Sequence, residues 1–227
     1  LVLTNGIIST SATGRLILLS TSTASVVPAG GTATSFINGP LTKHIINGES
    51  FIYPLGCGTL KGHKFTLTPT GGSTLAWTAE YFSPNGTATS IASPLQVSNT
   101  LEYWSVASSA ASSARLKMGW DPQSELTPLM TVNGLPDMRV AQYITGLWTE
   151  LASVATGNSS TGEVETAGSV SMSSTPADFT TATVSGTLAR ASFASFEPIC
   201  GSGGIPVSFI SFTPISLNYI ISYTIDG

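Results

Sequence analysis

Residues 101–121 read LEYWSVASSAASSARLKMGWD. Two aromatic-containing segments, Tyr103-Trp104-Ser105-Val106 and Arg115 to Trp120, flank a small, polar Ala/Ser tip. In an extended chain Leu116, Met118 and Trp120 fall on one side and Lys117 and Gly119 on the other. That period of two marks a half-buried strand. The stretch is expected to form a hairpin whose two tryptophans pin the core of a β-sandwich. Nothing in it carries catalytic chemistry.

The composition points the same way. Hydrophobic residues make up 41% of the 227-residue chain and charged residues only 9%, against roughly a quarter charged in ordinary soluble domains. Ser and Thr fill the gap at about three residues in ten. Disordered chains pair low hydrophobicity with high charge, the opposite balance. Helices need Glu, Lys, Arg and Leu on their wet faces, and these are scarce. Thr, Ser, Val, Ile and Gly, punctuated by Pro and Asn, build strands and tight turns. The expected fold is all-β: an antiparallel sandwich, Ig-like or jelly-roll-like, preceded by short solenoid-like strands.

Along the chain, residues 1–45 read as brief strands separated by turns such as Asn5-Gly6 and Asn38-Gly39-Pro40. They fit either solenoid rungs or the first sandwich strands. Residues 46–196 carry the sandwich, with strands at Phe51–Gly56, Lys64–Pro69, Leu75–Phe82, Ser169–Met172 and Phe179–Leu188. Met138–Tyr143 and Gly146–Glu150 make a pair turning at Tyr143-Ile144-Thr145-Gly146. Residues 155–170, rich in Gly, Ser, Thr and Glu, read as an exposed connection. Residues 197–204 are a Gly/Ser linker. Residues 205–227 are two terminal strands, either starting a next module or donated to a neighbour. Pro206, Pro214 and Asn218 argue against a membrane helix in this apolar run, so no membrane insertion is expected.

The net charge of −4, with eight scattered basic residues, offers no electrostatic footprint for nucleic acid. A hydroxyl-rich surface suits an extracellular location. Cys57 and Cys200 match no metal spacing. In an oxidising compartment they can close a disulfide around a long loop; two separate buried thiols is the equal alternative.

Few residues suggest chemistry. His44 and His63 lie near lysines and far in sequence from any carboxylate, so turn or surface positions are expected rather than a catalytic triad. Asp121, Glu125 and Asp137 are the candidates for a calcium site, but no Asp-x-Asp-x-Asp run supports one. No cofactor is expected. Glu163 and Glu165 sit in the Gly/Ser/Thr stretch, too mobile a setting for paired-carboxylate glycosidase chemistry. Trp77, Trp104, Trp120 and Trp148 allow stacking on surface polysaccharide if exposed, although their apolar, strand-like contexts favour the core.

Six motifs occur in an order that resembles modules near the C-terminal ends of large Bacteroidota cell-surface proteins, of adhesin or gliding type, exported by the type IX secretion system. They are Leu3-Thr4-Asn5-Gly6, Ile37-Asn38-Gly39-Pro40-Leu41-Thr42-Lys43, Phe51-Ile52-Tyr53-Pro54-Leu55-Gly56, Glu102-Tyr103-Trp104, Gly146-Leu147-Trp148 and Ile205 to Thr213. The resemblance implies a secreted, non-enzymatic structural or adhesive module whose partners are neighbouring modules or copies of itself. Two alternatives accompany it: a self-assembling filament subunit using strand addition by residues 205–227, and a carbohydrate-binding sandwich.

Overall fold

The computed structural model describes residues 1–85, 90–121, 124, 135–158 and 160–184. The linker at 197–204, the terminal strands at 205–227 and Cys200 lie outside them. The first strands are β1 (Ile8–Ser9), β2 (Leu16–Leu18), β3 (Ile37–Asn38), β4 (Leu41–Ile45), β5 (Phe51–Tyr53) and β6 (Leu55–Cys57). Then come β7 (Leu60–Lys61), β8 (Phe65–Pro69), β9 (Leu75–Phe82), β10 (Val97–Ser98), β11 (Tyr103–Ser108) and β12 (Ser112–Trp120). A short 3₁₀ turn at Leu135–Asp137 leads into β13 (Met138–Ile144) and β14 (Leu147–Leu151). The last are β15 (Ser153–Gly157), β16 (Gly162–Thr166), β17 (Val170–Met172) and β18 (Ala177–Thr183).

These strands form three sheets in a sandwich-like arrangement. The 8-stranded sheet runs β14-β13-β18-β11-β9-β4-β2, with β10 also on β18. The 6-stranded sheet runs β15-β16-β12-β8-β5, with β17 also on β12. Between them lies one aromatic core. Trp77, Tyr81 and Trp104 enter it from the 8-stranded sheet; Tyr53, Phe65 and Leu67 enter from the 6-stranded sheet. Phe65 stacks on Trp104 at 5.8 Å between ring centroids, and the Tyr53 hydroxyl donates to the Trp77 carbonyl at 2.9 Å. Both contacts cross from sheet to sheet.

Residues 101–121 do not form a hairpin. β11 pairs with β9 and β18, whereas β12 pairs with β8, β16 and β17. The Ser109–Ala111 tip therefore carries the chain across the sandwich as an arch. Trp104 and Val106 face the core from one sheet, and Leu116, Met118 and Trp120 face them from the other. The alternation of side chains is identical for a hairpin and an arch, so the period of two does not separate them. The tip does: a two-residue hairpin turn requires residues at φ > 0, and Ser and Ala supply none.

A true hairpin forms at residues 138–151. β13 and β14 pair antiparallel around Thr145 and Gly146, whose φ values of 49° and 89° match the turn that suits strand twist. Within residues 155–170 the structure places most of β15, all of β16 and the start of β17, where an exposed connection was expected. β15 and β16 pair with each other, and β16 continues onto β12. Gly162 is required there, because a Cβ would run into the Trp120 ring lying over it.

The N-terminal residues are coiled. Val2 bridges Val27, β1 pairs β3, and β2 pairs β4, all parallel. Two successive rungs are thus stacked, Val on Val, Ile8 on Ile37 and Leu16 on Leu41. The 4-stranded sheet, β1-β3-β6-β7, is one wall of this coil. Position 45 is not a break between bodies. β4 pairs antiparallel with β9, so residues 1–45 are both solenoid-like rungs and the first sandwich strands.

Candidate functional site

Among the described residues, polar side chains converge most densely around His63. This residue follows β7 and precedes β8. Its Nδ1 is 2.7 Å from Glu102 Oε2, and its Nε2 is 3.0 Å from Asp121 Oδ1 and 3.1 Å from Ser124 Oγ. Glu102 is buried just ahead of β11. Its carboxylate also accepts from the Tyr81 hydroxyl at 2.9 Å and from Asn99 Nδ2 at 3.3 Å. Asn99 reaches onward to Thr181 Oγ1 at 3.1 Å, and Thr180 Oγ1 donates to the Glu102 carbonyl at 2.7 Å. Asp121 and Ser124 close a tight turn in which the Asp121 N–H donates to Ser124 Oγ at 3.0 Å. The cluster thereby ties the start of β8, the entry to β11, the end of β12 and the middle of β18 together.

Electrostatics fix its protonation. Burial alone would lower the His63 pKa, but the hydrogen bond and charge of Glu102, followed by those of Asp121, raise it to about 9. At neutral pH the ring is an imidazolium donating from both nitrogens. Burial, then the neighbouring Glu102, push the Tyr81 phenol well up, so it stays a donor. Burial lowers the Lys61 pKa, opposed by Glu102.

The row Ser124–His63–Glu102 has the spacing of a nucleophile, a base and an orienting acid. Its proton count does not suit that chemistry. A general base must be neutral at the working pH, and here Nε2 already carries a proton directed at Asp121. His63 and Asp121 do line a solvent-open cleft of about 700 Å³, with Lys61, Trp120 and Glu163 on its walls. A second open cleft, about 550 Å³, lies over Thr42, Thr78 and Ala107 on the outer face of the 8-stranded sheet, with Arg15 at its rim.

The other sequence candidates are spread out. His44 is half-buried on β4, opposite Ala76. Asp121 belongs to His63, Asp137 ends the 3₁₀ turn, and Glu125 lies outside the described residues, which contain no group of three potential metal ligands. Glu163 and Glu165 sit on a paired strand, not in a mobile stretch. They form an outward ladder with Lys64 (2.5 Å to Glu163) and Lys117 (3.1 Å to Glu165), with Arg115 at 3.9 Å from Glu165. All four tryptophans are buried: Trp77, Trp104 and Trp148 fully, Trp120 to 5% exposure. Buried in this way, the four rings offer no platform for stacking on a sugar. Trp148 fills a small separate core with Leu95, Ala141 and Ala182, beneath the segment at residues 90–95. The half-buried Cys57 thiol lies 3.7 Å from the Ser83 carbonyl.

Sequence reading missed the His63 cluster because its partners lie 39, 58 and 61 residues away in the chain. One local signal existed: a glutamate directly before the apolar Tyr103-Trp104 strand, at a position where burial demands a partner. Comparison with known proteins finds no matching family model, curated protein or solved structure. No helix among the described residues is long and apolar enough to cross a membrane.

Proposed function

We propose that this chain is a non-enzymatic structural module of a secreted bacterial surface protein, serving to extend, rigidify or display. The observation that carries the reading is the use of the His63 cluster. The one histidine flanked by two carboxylates is bonded at both nitrogens and ties strand ends together, as a clasp does. The buried tryptophans and the sheet-crossing arch support the same role, because they put the aromatic content into rigidity. The ordered motifs that resemble type IX-exported Bacteroidota modules supply the extracellular, adhesin-like setting.

Two measurements test it. Protease shaving of intact cells that express the chain is expected to release its peptides; complete protection until lysis would overturn the extracellular part. A fluorophosphonate probe, with a screen for ester and polysaccharide hydrolysis, is expected to find nothing. Covalent labelling at Ser124 would replace this reading with a serine hydrolase built on Ser124, His63 and Glu102.

A further inference from the structure

Ser90 to Gln96 cross the outer face of the 8-stranded sheet as a strap. Upstream, the Ala92 N–H donates to the Trp148 carbonyl at 2.8 Å and the Trp148 N–H to the Ser90 carbonyl at 3.0 Å, on β14. Downstream, the Gln96 and Asn99 N–H groups donate to the Thr183 and Thr181 carbonyls at 2.9 Å each, on β18. Between these attachments Leu95 packs on Ala141, Trp148 and Ala182. Side chains alternate along a strand, so Ala141 and Ala182 lie on the face opposite to Val140 and Phe179, which enter the main core. The strap therefore closes a second core on the outside of the sheet. Tyr143 flanks it, with its ring centroid 5.1 Å from that of Trp148.

The two ends of the strap are fastened unequally. Downstream, Asn99 is buried; its Nδ2 donates to Glu102 Oε1 at 3.3 Å and to Thr181 Oγ1 at 3.1 Å, and its carbonyl accepts from Asn85 Nδ2 at 2.8 Å. The Asn85 N–H also donates to the Thr100 carbonyl at 3.0 Å. The segments that flank the strap in sequence are thus tied to each other and not through it. Among the described residues, the upstream end is held by two main-chain bonds, both to Trp148. Of the strap's own side chains only Leu95 is buried; Ser90, Ser93, Pro94 and Gln96 are exposed. Few buried contacts and exposed main-chain bonds mark segments that open locally. Trp148 Nε1 has no hydrogen-bond partner while covered, and a buried donor left unpaired favours the state in which water reaches it. We infer that residues 90–96 lift as a unit about β10 while the sandwich stays folded, baring Trp148 and Tyr143. The open module presents an aromatic pair and an unpaired indole N–H that the closed one hides. This goes beyond the structural reading above and does not depend on the cellular location.

Hydrogen exchange of the wild-type chain, followed by NMR at several urea concentrations below the unfolding transition, tests it. The Ala92 and Trp148 amides are expected to exchange about tenfold or more faster than those of β9 and β11, at rates that urea barely changes. The β9 and β11 amides should accelerate with urea, since their release exposes the whole core. Leu95→Asp places a carboxylate where the closed strap must bury it, so this variant is expected to hold the strap open. Its tryptophan emission should shift to the red and become quenchable by acrylamide, with cooperative unfolding retained. Adding Trp148→Phe should abolish both changes. Ala92 and Trp148 amides that share the rate and urea dependence of the β9 and β11 amides overturn the proposal. So does a Leu95→Asp chain that loses its cooperative transition, keeps its emission unchanged, or shows a red shift that Trp148→Phe leaves in place.

Discussion

The coil formed by the first 45 residues and the sheet face around β16 present themselves to water in opposite ways. On β16, Glu163 and Glu165 face outward among Lys64, Lys117 and Arg115, and only Val164 and Thr166 turn to the core. On the outer rung of the coil, the first turn that carries Val2, β1 and β2, aliphatic side chains are exposed and Arg15 stands alone. The charged ladder keeps the outer face of β8, β12 and β16 solvated, whereas the first rung presents aliphatic surface.

The sharpest break of this comparison is in the core that holds both regions. Trp104→Ala should destabilise the fold by about 3–5 kcal/mol, because it removes the ring stacked on Phe65 between the sheets. Urea denaturation reads this as a lower midpoint. A loss below about 1 kcal/mol would mean that the arch does not anchor the sandwich.

Next comes the His63 clasp. Its folded pKa of about 9 stands above the ordinary imidazole value of 6.5. A raised folded pKa contributes stability that is fully present below the unfolded pKa and lost as pH rises through the folded one. That elevation corresponds to about 3 kcal/mol, lost between roughly pH 6.5 and 9. His63→Gln should be less stable at pH 6 and nearly flat across that window. Wild-type stability that does not change from pH 6 to 10 would show that the imidazolium is not held.

The smallest effect belongs to the ladder. Lys117→Met should change stability by less than about 0.5 kcal/mol, since exposed ion pairs contribute little, but it should make the β12–β16 face stickier. Light scattering at low and high salt checks this. A large fall in melting temperature would assign the ladder a structural role and weaken the contrast with the outer rung.

Much of the sheet content was legible in the sequence. Leu75–Phe82 alternates cleanly and is β9, and the pair expected to turn at Tyr143 to Gly146 is a hairpin whose turn lies one residue later, at Thr145-Gly146. What was not legible is pairing. Trp104 and Trp120 alternate in the same way whether their strands lie side by side or face each other, so only the Ala/Ser tip separated arch from hairpin. β16 was hidden because a strand with two glutamates outward and one valine inward has the composition of a loop. The His63 site assembles residues from three distant segments, and a sequence shows neither that proximity nor the resulting proton affinity. The parallel rungs were legible as short strands; their partners, about 25 residues along the chain, were not.

Lys43 gives the coil a chemical signature. It sits at the end of the Asn38-Gly39-Pro40-Leu41-Thr42 run, with no solvent-exposed surface. Its ammonium donates to the Ser20 and His44 carbonyls and lies 5.3 Å from the centroid of the Phe51 ring. Ser20 follows β2 in the outer rung, so that rung is fastened to the second by a buried amine. An acylating reagent in water meets Lys64 and Lys117 at once but reaches Lys43 only when the outer rung lifts away. The rate at which that single amine is modified is therefore a clock for the opening of the N-terminal coil.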